Sequence, residues 1–465
     1  MKKKDMKKKD MYINYHHSYS KRGRRSGNRI FKIIFILLLL IAIGCLCYYG
    51  IIWRINQNLN INNNGDNNND ITSDVDQEID ADVNTDLDLD LHQDEEHGEG
   101  AGLDNQEEDN GQVNDPNNLP DDEQGQEVGV ADNRSPVVAK GIYVTASAMV
   151  NRRDEIIDIA DTTEINALVI DVKDDNGRIT YNMNSELVQE IGAATNTISD
   201  MENLIYTLKD KGIYTIARIV AFKDPYLASQ KQEWAIKKMD GSLYQDNNNQ
   251  YWINPYKREV WDYLIEVATE AAKIGFDEIQ FDYIRFSTGG GIENADYGED
   301  AVDISKEDII TEFTKQAYEK LKPLGVFVSA DVYGTIISSQ IDAALIGQNY
   351  VEMSKYLDYI CPMIYPSHFG EGNYGIEYPD LQPQDIVRKV LVASKEKLDT
   401  IPEEEHRAIV RPWLQDFTAS WISNYQVYGG KQVREQIEGV YAAGYEEWIL
   451  WNSTGRYSID GLLEE

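Results

Sequence analysis

The sequence predicts an α/β fold class, a (β/α)8 TIM barrel, for residues 137–465. The first observation is that short runs rich in β-branched and aromatic residues alternate with longer helical stretches, as strands and crossover helices do. The second is that eight such runs occur. The third is length: about 250 residues is typical for this barrel. Long loops at 174–198, 222–252, 287–303 and 366–382 fill the remainder.

Upstream of the barrel, residues 1–32 form a basic tail in which twelve Lys and Arg are opposed only by Asp5 and Asp10. Residues 33–53 contain no charged side chain and are long enough for one helix across a bilayer. Because the basic flank precedes the span, the positive-inside rule predicts a cytoplasmic N-terminus and an extracellular remainder. A cleaved signal peptide is the alternative, but no small-residue cleavage site follows the apolar run. We therefore expect a single-pass signal-anchor in the cell membrane, with membrane lipid as its partner.

Residues 54–136 are rich in Asn, Asp and Glu. Low hydrophobicity and high like charge leave too little apolar surface to offset chain entropy, which predicts a disordered linker. Repulsion between the charges extends such a linker. Calcium binding by the repeated Asp residues is the alternative, but the glycine and the closing glutamate of an EF-hand loop are missing.

The eight predicted strands occupy residues 141–147, 167–173, 213–221, 277–286, 326–334, 357–365, 408–417 and 447–453. Helices are predicted between them, including 199–212, 254–275, 306–325 and 430–444. Ser199 with Glu202 has the spacing of a capping box, and Asn254 before Pro255 is a typical helix start. Each of these four helices is followed by a glycine suited to a C-terminal cap: Gly212, Gly275, Gly325 and Gly444. A doubly wound open sheet is the alternative fold, but no Gly-rich phosphate turn follows the first strand.

The fourth predicted strand, in the segment DEIQFDYIRFS at 277–287, carries a carboxylate, Asp282, in apolar surroundings. Such a group is costly to bury unless it is paired or hydrogen-bonded. Side chains alternate along a strand, so Gln280 and Asp282 share one face, and Ile279 and Phe281 share the other. We expect the apolar face to meet the helices and the polar face to point into the barrel.

Polar side chains recur at the C-terminal ends of the other strands, where barrels of this kind carry their functional residues. Asp171 and Lys173 are predicted to share one face of the second strand, as are Ser329, Asp331 and Tyr333 on the fifth. The remaining strands contribute Arg218, Arg285, Tyr365, Trp413, Gln415, Asp416 and Trp451. Packing of the barrel does not require so many polar side chains at one end. This ring of side chains therefore predicts a functional site. A network of ion pairs at the top of the barrel is the alternative.

Carboxylates and aromatic rings dominate this predicted ring, and histidine is scarce. Only His368 and His406 lie in the predicted barrel, which disfavours a catalytic zinc with several His ligands. A GxSxG elbow for a Ser-His-Asp triad is missing. We expect no metal and no cofactor. Two carboxylates with rings that can stack on sugars instead indicate glycoside cleavage.

Four segments resemble a known family: GIYVTASAMVN, ALVIDVKDDNGRITYN, the turn from Trp252 to Pro255, and FDEIQFDYIRFS. They are similar to DUF4015, a "putative glycosyl hydrolase" domain whose members are predicted (β/α)8 barrels related to glycoside hydrolases. The resemblance covers nearly all of residues 137–465 and implies that Asp282 is the nucleophile or principal catalytic carboxylate. An α-amylase-like pattern implies a glutamate at the end of the fifth strand, where this sequence has Asp331. The candidates for the acid are therefore Asp331, then Asp171 and Asp416.

These observations lead us to expect a membrane-anchored extracellular glycoside hydrolase acting on a cell-wall or environmental polysaccharide. Arg218 and Arg285 should help to keep Asp282 ionised, because a nearby positive charge lowers a carboxyl pKa. The substrate-binding side chains are expected to be Arg218, Arg285, Tyr333, Tyr365, Trp413, Gln415, Asp416 and Trp451. A non-catalytic carbohydrate-binding or wall-organising barrel is the alternative, since fold does not settle function.

The charge of the predicted barrel disfavours one class of partner. Residues 137–465 contain 30 Lys and Arg against 54 Asp and Glu, a net charge of −24. This charge repels phosphate, so nucleic acid is not expected to bind. For the same reason, neutral or cationic glycans fit this domain better than anionic wall polymers.

Overall fold

The computed structural model of the chain describes residues 134–464. The predicted basic tail, the predicted membrane span at 33–53 and the predicted linker up to residue 133 lie outside the described residues. Within 134–464, no helix combines the length and the apolar character needed to cross a membrane.

Eight parallel strands form a closed (β/α)8 barrel, which confirms the predicted fold class. The barrel closes where the last strand pairs with the first, with Lys140 beside Trp448. All eight predicted strands are present. They are β1 (Lys140–Val144), β2 (Ala167–Lys173), β3 (Tyr214–Val220), β4 (Glu278–Asp282), β5 (Phe327–Tyr333), β6 (Tyr359–Met363), β7 (Ile409–Val410 and Trp413–Gln415) and β8 (Trp448–Trp451).

Helices connect the strands and cover the outside of the barrel. The α-helices are α1 (Ala146–Asn151), α2 (Arg153–Thr162), α3 (Glu186–Ile191), α4 (Met201–Asp210), α5 (Pro225–Gln230), α6 (Arg258–Lys273), α7 (Asp300–Asp303), α8 (Lys306–Leu321), α9 (Gln340–Ile346), α10 (Tyr350–Ser354), α11 (Pro383–Leu398) and α12 (Gly430–Ala442). Short 3-10 turns lie at Ile292–Asn294, Lys322–Leu324, Gly334–Ile337, Pro366–His368, Asn373–Gly375, Pro379–Leu381 and Ile459–Gly461. Two long loops also pair briefly, through Lys237–Lys238 and Ala295–Asp296.

The helix ends confirm one prediction and correct two. The four predicted cap glycines all have a positive φ, which a residue without a Cβ adopts readily. The prediction that Asn254 and Pro255 begin a helix is wrong, because α6 begins at Arg258. The buried Asn254 side chain instead holds a turn, accepting from the Tyr256 N–H at 3.1 Å and donating to the Tyr297 carbonyl at 2.9 Å.

The other corrected helix end is the start of α4. Asp200 caps this helix, rather than the predicted Ser199, by accepting a hydrogen bond from the Asn203 N–H at 3.3 Å. Both residues are good N-cap types, so the sequence identified the turn but not which of the two neighbours caps it.

The hydrophobic core has two layers that follow strand alternation. The outer layer lies between strands and helices and includes Ile279 and Phe281 of β4. The inner layer lies inside the barrel and includes Val169 and Ile216. On β4, Gln280 alternates with the outer pair and is fully buried, as predicted. Alternation therefore carries Asp282 to the inner side of the strand.

On β2, the prediction from strand alternation that Lys173 shares a face with Asp171 is wrong. The pairing register shifts between these two residues, so that Asp171 aligns with Arg218 but Lys173 aligns with Ile219. This irregularity turns Lys173 to the outer layer, where Ile219 packs. Its ammonium group forms a fully buried ion pair with Asp224 at 2.8 Å.

Two ion clusters close the end of the barrel where the strands begin. Arg411, between the two segments of β7, bonds to Glu278 at 2.9 Å and to Glu447 at 2.7 Å. Arg134 bonds to Asp358 just before β6, at 2.6 and 2.7 Å. The segment that leads into β1 is thereby attached to the barrel at this end.

Candidate active site

A cleft of about 290 Å³ opens at the carboxyl ends of the strands. Residues from several different strands line it, as closure of the barrel brings these strand ends together. Eight lining residues were singled out in the sequence: Arg218, Asp282, Arg285, Asp331, Tyr333, Tyr365, Trp413 and Trp451. Other lining residues were not, among them Tyr143 and Asp175.

Arg218 of β3 organises the charges in this cleft. Its Nε and Nη2 atoms donate to Oδ2 of Asp282 at 2.9 and 2.7 Å. Its Nη1 atom donates to Oδ1 of Asp171 at 2.8 Å and to Oδ2 of Asp175 at 3.1 Å. One guanidinium thus holds three carboxylates that come from β2, from the loop after β2 and from β4. Charge-assisted bonds of this kind fix both position and orientation.

Asp282 is held at both of its carboxylate oxygens. Arg218 binds Oδ2, while the backbone N–H of Tyr283 donates to Oδ1 at 2.6 Å. Tyr283 has a φ of 48°, a left-handed conformation that is uncommon for an aromatic residue. Strained residues of this kind persist where the surroundings fix them, often at functional sites. The Asp282 side chain remains 15% exposed, so it is accessible from the cleft.

Asp331 lies in a drier environment than Asp282. The residue is 2% exposed, and Nε1 of Trp413 donates to its Oδ1 at 2.6 Å. Burial, followed by the nearby charge of Asp282, raises the pKa of Asp331 well above its ordinary value. The register of β4 and β5 pairs Phe281 with Ala330, which brings Asp282 and Asp331 to adjacent positions. The two neighbouring carboxyl groups therefore have different surroundings: Asp282 is bound by a guanidinium, and Asp331 is buried against an indole.

Asp171 and Asp175 complete the Arg218 cluster. Burial raises the pKa of Asp171 to about 6, although Arg218 lowers it. Asp171 does not line the cleft; it accepts from the Tyr143 hydroxyl at 2.8 Å and acts on the cleft through Arg218. Burial also opposes ionisation of Asp175, but Arg218 and then Lys223 outweigh it and lower its pKa.

Arg285 lies against aromatic side chains of the cleft. Its guanidinium carbon lies 4.8 Å from the ring centroid of Tyr333 and 5.0 Å from that of Trp252. It also donates to the Phe286 carbonyl at 3.0 Å. Arg285 therefore supports the aromatic wall of the cleft.

Aromatic rings form a path from the cleft to the surface. The Trp451 ring centroid lies 6.0 Å from that of Tyr365 and 5.3 Å from that of Phe417. Phe417 stacks on Trp421 with centroids 5.9 Å apart and ring planes at 14°. Trp421 is 45% exposed although one of its faces is covered by Phe417. Stacked and edge-on rings of this kind are rigid platforms for flat apolar surfaces.

Gln415 and Asp416, which were predicted to bind substrate, do not line the cleft. Gln415 is fully buried and bonds to Ser367 and to the Phe417 carbonyl. Asp416 accepts from the backbone and hydroxyl groups of Ser458, both at 2.7 Å. The two residues hold the loops around the cleft in place.

Two lining residues were not predicted from the sequence. Asp175 is the second of two Asp residues directly after β2, and this position at a strand end was a usable signal. Tyr143 has inward parity on β1, so alternation could have found it. His368 follows the sixth predicted strand but was given no role, because the path of that loop does not follow from the sequence. Within the described part of the chain, no group of three or more His, Cys, Asp or Glu side chains is arranged to hold a metal ion.

Comparisons with known proteins agree with the geometry in part. Residues 141–457 match DUF4015, described as a "putative glycosyl hydrolase domain". Among curated proteins, none matches the chain. A hypothetical protein from Ruminiclostridium thermocellum ATCC 27405, known from a crystal structure, is 41% identical over 41% of this chain and 97% of its own, with a TM-score of 0.38.

Two solved structures from other bacteria also match. The PgaB (BpsB) glycoside hydrolase domain of Bordetella bronchiseptica is 13% identical, over 69% of this chain and 95% of its own, with a TM-score of 0.49. The spore cortex-lytic enzyme SleL of Bacillus megaterium QM B1551 is 11% identical, over 70% of this chain and 74% of its own, with a TM-score of 0.41. Because the family match extends over most of the chain and includes residues of every strand from β1 to β8, the protein belongs to the DUF4015 family, whose description is "putative glycosyl hydrolase domain".

Proposed function

We propose that this protein is a glycoside hydrolase that cleaves a polysaccharide with two carboxyl groups, Asp282 and Asp331. The observation that carries the proposal is the contrast between these neighbours. Asp282 is bound by Arg218, whereas Asp331 is buried with a raised pKa. Environments that separate the pKa values of two adjacent carboxyl groups are what an acid and a nucleophile require.

In the proposed mechanism, ionised Asp282 attacks the anomeric carbon while protonated Asp331 donates its proton to the departing glycosidic oxygen. The Trp413 N–H already occupies Oδ1 of Asp331, so Oδ2 carries the proton. Asp331 then accepts a proton from water, and that water releases the sugar from Asp282. Adjacent strands lie about 4.8 Å apart, which fits the separation of about 5 Å between the carboxyl groups of a retaining enzyme.

A polymeric substrate is supported by the ring path from Tyr365 through Trp451 and Phe417 to Trp421. The path continues beyond the cleft and ends on an exposed ring, so it can hold sugar units on one side of the cleaved bond. We further propose that the barrel is displayed outside the cell on a single-pass anchor, with the N-terminus cytoplasmic. The uncharged run at 33–53 after a basic segment supports this, and a cell-wall or environmental polysaccharide would then be within reach.

A second candidate function is glycan binding without turnover. The observation that favours it is the ion pair itself, because two hydrogen bonds from Arg218 to one oxygen of Asp282 stabilise its resting state. In that case the Trp421 platform and the cleft would retain a glycan, and no product would form.

The test is incubation of the full-length protein with a panel of polysaccharides, followed by mass spectrometry of released sugars. We expect products from wild type and a loss of at least about 10³-fold in Asp282→Asn, because an amide cannot replace the nucleophilic carboxylate. The matched control is Asp277→Asn, which changes a carboxylate that bonds to Thr215 at the other end of the same strand. Undiminished activity of Asp282→Asn would refute the assignment, and retention of glycan without products would favour the binding module.

A further inference from the structure

His368 lines the cleft, yet the proposed reaction does not use it. Its ring lies in the loop after β6, with its centroid 5.2 Å from that of Tyr365. Within residues 134–464, the hydrogen bond of this ring is made by Nδ1, which lies 2.9 Å from Oγ of Ser367. The protonation state of the ring therefore depends on which way the hydrogen bond with Ser367 runs.

The orientation of the neighbouring Gln415 amide settles that direction. Oε1 of Gln415 accepts from the backbone N–H of Ser367 at 3.1 Å, and a backbone N–H can only donate. Nε2 of Gln415 donates to the backbone carbonyl of Phe417 at 2.9 Å, and a carbonyl can only accept. Nε2 also donates to Oδ1 of Asp380 at 3.2 Å. A flipped amide would lose both backbone bonds, so its Oε1 atom must face Ser367.

The Ser367 hydroxyl proton then has one favourable position. Oγ lies 2.8 Å from Oε1 of Gln415, and two acceptors at that distance repel unless a proton lies between them. The hydroxyl therefore donates to Gln415. Its oxygen is left to accept, and the partner at Nδ1 of His368 must donate. The chain of bonds from Phe417 to His368 thus fixes the tautomer of the ring.

We propose that His368 is held as the Nδ1–H tautomer, so that the bare Nε2 atom is a hydrogen-bond acceptor for a sugar hydroxyl in the cleft. Burial supports this state because it lowers the pKa of His368 to about 4, which keeps the ring neutral at physiological pH. His368 is then a specificity-determining residue that requires a hydroxyl at one position of the bound saccharide. The saccharide as ligand rests on the proposed function; the tautomer does not.

The tautomer is tested without any substrate. The full-length protein is labelled with 15N-histidine, and long-range 1H–15N spectra are recorded at pH 7. The signal of His368 is assigned as the one that is missing from the spectrum of His368→Gln. In wild type this signal should show a protonated Nδ1 and an unprotonated Nε2. Ser367→Ala removes the acceptor and should shift the ring toward the Nε2–H tautomer. Ser394→Ala is the matched control, since it removes a buried serine bond to Tyr350 at 2.7 Å and should change nothing at His368. A proton on Nε2 in wild type overturns the inference.

The acceptor role is tested with the saccharide found by the polysaccharide panel. His368→Phe keeps a ring but removes the acceptor, and we expect KM to rise about tenfold, as for the loss of one buried hydrogen bond. His368→Gln, which can offer an oxygen near Nε2, should restore most of the loss. Deoxy analogues of the substrate should show one position whose loss weakens wild type but not His368→Phe.

These outcomes separate the inference from the proposed function. If every deoxy analogue binds wild type and His368→Phe with the same loss of affinity, the acceptor role is overturned, and the hydrolase proposal stands. The expected tautomer, together with failure of every saccharide to bind or react, overturns the proposed function and the saccharide ligand with it.

Discussion

Asp282 and Asp331 have the same functional group and adjacent positions, yet their surroundings give them different chemistry. Asp282 has a guanidinium on one oxygen and a backbone N–H on the other. Asp331 has an indole N–H and very little contact with solvent. The first set of contacts favours a carboxylate, and the second favours a neutral acid. Residue identity alone therefore does not distinguish the two proposed roles.

If Asp331 is the acid, as proposed, the rate should depend on the leaving group. Asp331→Asn should slow cleavage of natural glycosidic bonds by about 10²- to 10⁴-fold, but should slow aryl glycosides with good leaving groups much less. In wild type, kcat should fall as pH rises through the raised pKa of Asp331, because the proton to be donated is then lost. Kinetics with both substrate types over a pH series check this. An equal loss on both would exclude Asp331 as the acid.

Asp171 predicts a change in stability with pH. Its pKa is about 6 in the fold and 3.8 as the reference value, so between these pH values the folded state holds a proton that the unfolded state has released. Its contribution to the free energy of unfolding is thus complete below pH 3.8 and falls by about 3 kcal/mol as pH rises past 6. Asp171→Asn should lack this fall. Urea unfolding at several pH values measures it, and parallel curves for the two proteins would contradict it.

At the residue scale, the sequence predicted the direction of the side chains, but not the geometry of their contacts. Alternation along β4 and β5 placed Asp282 and Asp331 on the inner face, since side-chain direction in a strand is a local property. The bonds from Arg218 to Asp282 depend on how far side chains extend across neighbouring strands. The strained φ of Tyr283 likewise follows from tertiary packing, and nothing in its own sequence indicates it.

At the scale of the element, the irregular end of β2 shows where alternation fails. One extra residue in the pairing of Asp171 and Lys173 reverses the direction of the lysine side chain. A bulge of this kind depends on the loop and on the neighbouring strand, so a period-two rule cannot detect it. The wrong prediction of a helix start at Asn254 has a similar cause, because contacts with other segments decide it. Asn254 is a residue type that caps helices well, but here its side chain holds a buried turn. Glycine caps were predicted correctly since their backbone requirement is local.

The buried ion pair between Lys173 of β2 and Asp224 can be tested by measuring the stability of single and double variants. Lys173→Met should lower the free energy of unfolding by about 3–5 kcal/mol, because it leaves the buried Asp224 carboxylate without its cation. Adding Asp224→Asn should recover part of that loss, since an amide is neutral and can still cap α5 at Leu227. Chemical denaturation of the single and double variants checks the coupling. Simple addition of two losses would show that the ion pair has little net effect.

The loop between β7 and α12 predicts a dependence on substrate length. Trp421→Ala should reduce kcat/KM about five- to tenfold for long oligosaccharides, because about 1 kcal/mol of ring stacking is removed. Short oligosaccharides that end before the platform should react as in wild type. Tyr206→Ala is the control, because that ring is 71% exposed on α4, a helix that contributes no residue to the cleft lining. Equal losses on short and long substrates would argue against the platform.

At the scale of the whole molecule, the fold class was predictable because eight repeats of one unit leave few ways to close a sheet. The site required closure as well, since its residues are separated by more than two hundred positions and meet only at the strand ends. The surface charge is another property of the whole chain, and it acts over distances greater than any single contact.

The net charge of −24 over residues 137–465 predicts a dependence on salt. A cationic oligosaccharide, such as a deacetylated amino-sugar oligomer, should bind more weakly as salt rises from 0.05 to 0.5 M, because the Debye length falls from about 14 to about 4 Å. A neutral oligosaccharide of the same length should show little change. Titration calorimetry at both salt concentrations checks this. Tighter binding of an anionic polymer at low salt would contradict the expected preference.

The bond between Arg134 and Asp358 determines from which side the barrel can be held. The chain enters β1 from the end where the strands begin, and the cleft opens where they finish. A resin or label attached directly at residue 134 therefore sits on the closed side of the barrel. Immobilisation at that position should leave the cleft facing the bulk solution, and attachment through the 366–382 loop should block it.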